Sequence, residues 1–157
     1  MVENELFVIN SSFESITFWK LYDYKCVKRI DGVFTFDVNH MVELPNGSIA
    51  LSVRSCKSFY PIIIINVKIF TVIKEIKLEG YIINNSNLCI FNNDCFIYVY
   101  DRYFVQISPR DYKVMFKSNR GKCLNGEVGI ISLKGGKFFG IVNKNNGFTV
   151  IEPTFKK

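Results

Sequence analysis

The chain of 157 residues holds a single alanine, Ala50, a single histidine, His40, and a single tryptophan, Trp19. Alanine is the strongest helix former, and its near absence beside plentiful Ile, Val, Phe and Tyr excludes a helical bundle and points to an all-β protein. No apolar stretch approaches the roughly eighteen residues that a membrane helix requires. The N-terminal MVENELFVIN is acidic and its apolar run is short, so it does not read as a secretory leader. Five cysteines (Cys26, Cys56, Cys89, Cys95 and Cys123) form no C-x-x-C pair and leave an odd thiol. That pattern speaks against a disulfide framework and for reduced thiols in the cytoplasm.

Chemistry-bearing constellations are missing too. One histidine cannot build a metal site with cysteines that lack ligand spacing. The carboxylates fall mostly at turns (Asp23, Asp31, Asp94, Asp111), where short acidic side chains bond the local backbone. There is no G-x-S-x-G elbow, and Lys134-Gly135-Gly136-Lys137 lacks the spacing of a phosphate-binding loop. The sequence therefore reads as no enzyme, with no cofactor and no metal. A net charge of +6 invites nucleic acid or anionic lipid as a ligand. The basic residues are scattered, however, and no window carries five like charges, which argues for solvated strand faces and against either partner. Ser118-Asn119-Arg120-Gly121-Lys122 shares only its Arg-Gly with the paired-arginine loop of phosphoinositide-binding propellers.

What the chain does contain is a repeat. Pro61 to Gly80, PIIIINVKIFTVIKEIKLEG, runs apolar, turns, and then alternates apolar with charged. That is a hairpin with one strand deep in a core and its neighbour half exposed. Met41–Leu51, Asn87–Val99 and Gly129–Val142 share a pattern of apolar strand, polar turn and apolar strand. Their turns are Pro45-Asn46-Gly47, Asn92-Asn93-Asp94 and Lys134-Gly135-Gly136. Aligning Gly47, Asp94 and Gly136 gives intervals of 47 and 42 residues, and Asn4 to Ile9 fits a truncated earlier copy. Each such hairpin is followed by a second, and aligning Ile30, Ile76 and Phe116 gives intervals of 46 and 40. Four short strands per forty-odd residues is the period of propeller blades. The expectation is one β-propeller-like domain of antiparallel four-stranded blades over 1–157, with approximate blades at 1–34, 38–80, 84–118 and 126–157.

Thr17 to Gly32, TFWKLYDYKCVKRIDG, resembles the end of a WD repeat. Trp19 matches the family's tryptophan, Lys20 stands where its aspartate would be, and Cys26 to Gly32 follows its outer strand. The resemblance implies a divergent WD-repeat-like propeller of about three to four blades, a partial ring. Such a ring is a fragment of a longer one, a compact four-bladed closure, or half of an eight-bladed ring shared by two copies. An open half-ring exposes apolar faces and strand edges, so self-association completing the ring is expected. An antiparallel barrel or sandwich would leave the period unexplained.

Propellers serve chiefly as protein-interaction scaffolds, and the resemblance implies that role, with a protein partner met by the rim loops. Arg54, Lys57, Phe59 and Tyr60 combine the residue types that anchor protein interfaces. Phe36, Arg102 and Arg120 fall in loops expected at the same rim.

Overall fold

In the computed structural model the described residues are 7–12, 15–20, 22–32, 38–53, 59–79, 86–92, 95–100, 103–119, 128–133, 138–143 and 147–151. They form fourteen antiparallel strands in four sheets, each a simple meander. The first sheet is β1 (Phe7–Ser12), β2 (Ser15–Lys20) and β3 (Cys26–Asp31). The second is β4 (Val38–Glu43), β5 (Ser48–Val53), β6 (Phe59–Asn66) and β7 (Thr71–Glu79). The third is β8 (Ser86–Asn92), β9 (Cys95–Tyr100), β10 (Tyr103–Ile107) and β11 (Val114–Asn119). The fourth is β12 (Val128–Leu133), β13 (Phe138–Asn143) and β14 (Gly147–Ile151). Among the described residues no ladder joins one sheet to another, so the sheets are separate units that meet face to face. The first strands of successive sheets approach one another, β4 against β8 and β8 against β12.

The isoleucine run explains why the second sheet lies between two others. Side chains on a strand alternate between faces, so a run apolar at every position must be covered twice. Ile62 and Ile64 join Leu44, Ala50, Leu88, Phe96, Val105 and Ile107 in one core, between the second and third sheets. Ile63 and Ile65 join Ile16, Phe18, Leu51 and Val53 in another, between the first and second. None of the four isoleucines is more than 4% exposed. Burying each contributes about 1.5–3 kcal/mol, so this strand stabilises two joints at once. The outer strand β7 keeps only Ile76 and Leu78 buried, and Val72 and Ile73 remain 40% and 41% exposed.

The ladders refine one interval. Ile16 pairs with Ile30, Ile62 with Ile76, and Phe104 with Ser118. The equivalent of Ile76 in the third sheet is therefore Ser118, at an interval of 42, and not Phe116. A slip of two residues preserves the face a side chain points to, which is why apolar pattern alone does not detect it.

Candidate interaction surfaces

Three tight turns repeat one design. In the first sheet the Lys20 N–H donates to the Lys25 carbonyl at 2.9 Å, and the Tyr24 N–H to the Lys20 carbonyl at 3.0 Å. In the third, the Ser108 N–H donates to the Lys113 carbonyl and the Tyr112 N–H to the Ser108 carbonyl, both at 3.0 Å. Asp23 Oδ1 accepts from the Lys25 N–H at 3.1 Å, as Asp111 Oδ1 does from Lys113 at 3.4 Å. The hydrogen bond from the Ser108 side chain, foremost, holds the Asp111 carboxyl below the usual carboxylate range. In the second sheet Asn66 pairs with Thr71 across the turn, and Asn66 Oδ1 accepts from the Lys68 N–H at 2.9 Å. The fifth residue of each turn is an aromatic in the left-handed region: Tyr24 at φ 54°, Phe70 at 49° and Tyr112 at 58°. A bulky residue there costs about 1–2 kcal/mol, so the surroundings must compensate. Turn starts at Lys20, Asn66 and Ser108 recur at intervals of 46 and 42 residues.

Two of these aromatics dock on the preceding sheet. The Phe70 ring stands edge-on to Phe18, with centroids 5.0 Å apart. Tyr112 packs against the core between the second and third sheets, and its hydroxyl accepts from Asn46 Nδ2 at 2.9 Å. The same Nδ2 donates to the Pro109 carbonyl at 2.9 Å, and Asn46 Oδ1 accepts from the Ser48 N–H at 3.0 Å. The Tyr112 hydroxyl in turn donates to Ser48 Oγ at 3.5 Å. Asn46 is held for this task by its own hairpin turn, where Gly47 at φ 76° donates to the Leu44 carbonyl at 2.8 Å. Nearer the other end of the same joint, half-buried His40 accepts from the Leu88 N–H through Nδ1 at 3.4 Å. Burial pushes its pKa down.

Between the outer strands β3 and β7 lies an open groove of about 580 Å³. Lys28, Arg29 and Asp31 line one side, and Phe70, Thr71 and Glu75 the other. Arg29 Nε is engaged by Asp31 at 2.6 Å, so the groove presents balanced charge over an apolar floor. Elsewhere too, basic residues are paired with near neighbours: Lys25 with Asp23, Lys77 with Glu75, Lys113 with Asp111. Exposed pairs of this kind contribute little to stability, but they break up the positive charge into local dipoles. Among the described residues Cys26, Cys89 and Cys95 are joined in no disulfide, and the last two are buried. Among the described residues no three His, Cys, Asp or Glu converge as a metal site would require, and no helix is long and apolar enough to cross a membrane.

Of the residues expected at the rim, Phe36, Arg54, Lys57, Arg102 and Arg120 lie outside the described residues. Phe59 and Tyr60 open β6, pairing with Glu79 and Leu78. The strand ends that flank these positions are Asp31 and Val38, Val53 and Phe59, Tyr100 and Tyr103, and Asn119 and Val128. In a meander of alternating strands these ends all fall on the side opposite the three aromatic turns. The aromatic-bearing turns were legible as turns, but not as inter-sheet contacts. The signal available was the recurrence of an aromatic at 24, 70 and 112.

No family model matches the chain, and no curated protein matches it. Among solved structures it is similar to U3-55K, a WD40 propeller protein, with a TM-score of 0.65 at 11% sequence identity. The alignment covers 93% of this chain and 48% of the other, so the chain spans about half the length of that neighbour. At that identity the likeness concerns the fold: the separate antiparallel sheets, stacked face to face, are those of a β-propeller.

Proposed function

We propose that this chain is a non-enzymatic scaffold of WD-repeat-like propeller type that binds a protein partner through one rim. One propeller-like domain of four units, near 1–34, 38–80, 84–118 and 126–157, supplies the body. Phe36, Arg54, Lys57, Phe59, Tyr60, Arg102 and Arg120 supply the contacts. The observation that carries this reading is that the strand ends flanking all seven fall on the same side of the sheets. Aromatic residues and arginine are the residue types that anchor protein interfaces. The pairing of surface lysines and arginines with adjacent acids supports a protein partner over a phosphate backbone. Described cysteines that are joined in no disulfide fit a reducing compartment, the cytoplasm.

The test is affinity capture with the wild type, a variant carrying Arg54→Ala, Phe59→Ala and Tyr60→Ala, and Ile69→Ala on the opposite side. Partners held by the wild type and Ile69→Ala but lost by the triple variant are the expected result. An identical set of partners for all three sinks the rim assignment.

A further inference from the structure

The second and third sheets each turn one face toward the sheet before them, using the same positions. In the second these are Ile63, Ile65 and the turn aromatic Phe70; in the third, Val105, Ile107 and Tyr112. Ile65 is 1% exposed and Ile107 is 0%. The turn intervals of 46 and 42 residues carry these positions back to Thr17, Trp19 and Tyr24 in the first sheet. There Trp19 is 36% exposed and Tyr24 is 74% exposed. A lone exposed aromatic needs no explanation. Two of them, at positions that are covered in the second and third sheets, mark a joint whose other half is not supplied by the described residues of this chain.

We propose that a second copy of this chain covers that face, its fourth sheet stacking on the first sheet so that two copies close one ring. The internal joints are the template: the first sheet already receives the second, and the second the third, in this way. The chain spans about half of a solved structure of the same fold. The first and fourth sheets lie at opposite ends of the row, so a two-fold axis makes both contacts at once. The result is a closed dimer and not a growing filament. Trp19 would then occupy the desolvated position at which tryptophan contributes most to binding. This surface is distinct from the rim, and either assignment stands if the other fails.

Trp19 is the only tryptophan and reports on its own burial. The experiment is sedimentation velocity of the 157-residue chain over a dilution series, with tryptophan emission recorded on the same samples. The expected result is twice the 18.2 kDa chain mass at high concentration, with blue-shifted emission that moves to the red as dilution releases the monomer. Tyr24→Lys should weaken association at least about tenfold, and Trp19→Lys should abolish it. Met115→Lys, at another exposed apolar position, should leave it unchanged. Far-UV circular dichroism checks that each variant folds; Tyr24→Lys, on an exposed turn, carries the test alone if Trp19→Lys does not. A chain monomeric at every concentration overturns the proposal. So does a dimer whose tryptophan emission ignores dilution, or one that withstands both lysine substitutions.

Discussion

The joint between the first and second sheets and the joint between the second and third are built from different materials. Across the first, the described contacts are aliphatic and aromatic: Ile16 and Phe18 against Leu51, Val53, Ile63 and Ile65, with Phe70 standing on Phe18. The second has an apolar core of similar kind, and adds the Asn46, Pro109 and Tyr112 bracket and the bond from Leu88 to His40. Apolar packing is non-directional and supplies most of the energy of either joint. Hydrogen bonds add little net energy but penalise any arrangement that leaves them unmade. The first joint is thus held mainly by area, while the second is also fixed in register.

The largest effect is expected where area acts alone. Phe18 is completely buried, and Phe18→Ala removes both its own packing and the support of the Phe70 ring. A loss of about 3–5 kcal/mol follows from the lost transfer energy and the cavity left behind, measured by urea unfolding. A loss below about 1 kcal/mol would mean that the first sheet is not docked as described, and the comparison between the joints would collapse.

A smaller effect separates the two joints directly, because the same turn position carries phenylalanine in one and tyrosine in the other. Tyr112→Phe keeps the ring on the core but deprives Asn46 and Ser48 of the hydroxyl. We expect a loss of about 1 kcal/mol. Tyr24→Phe at the exposed counterpart should stay within about 0.5 kcal/mol. Equal costs at the two sites would show that the hydroxyl bracket contributes nothing to the second joint.

How much of this was legible in the sequence depends on what each residue reveals locally. Ile62 to Ile65 declared a strand covered on both faces, and Pro45-Asn46-Gly47 declared its hairpin turn, because short-range sterics settle both. The repeat emerged from the spacing of turns, since turn chemistry recurs at fixed positions. The two-residue error at Phe116 arose because β11 is exposed from Val114 to Lys117, so no buried face there pinned its register. Phe70 and Tyr112 as docking residues were not legible, for a left-handed aromatic looks locally unfavourable and is stabilised only by a neighbour distant in sequence. Of the rim residues, Phe59 and Tyr60 begin β6 and do not lie in the loop before it. Loop composition at Phe36, Arg54, Lys57, Arg102 and Arg120 names residue types suited to an interface, and it says nothing of shape.

The smallest predicted effect tests the polar character of the second joint through pH. His40 accepts the Leu88 N–H at Nδ1, and burial lowers its pKa below the ordinary value. Protonation turns Nδ1 into a donor, so the Leu88 amide loses its acceptor. The unfolded chain binds the proton more readily than the folded one, so stability is full above the unfolded pKa of about 6.5. It declines as pH falls from there through the lowered folded value. The carboxyl of Asp111 is displaced downward, away from the ordinary histidine value, so it does not mask the change. His40→Asn keeps an acceptor oxygen near the position of Nδ1 and removes the titration. Hydrogen exchange at the Leu88 amide, compared between about pH 7.5 and about pH 5.5 after correction for intrinsic rates, should show protection falling in the wild type and holding in the variant. Amides of β2, across the apolar joint, should change little in either protein. A parallel loss at β2 would mean that acid loosens the whole stack, and that the two joints do not differ in the way their contacts imply.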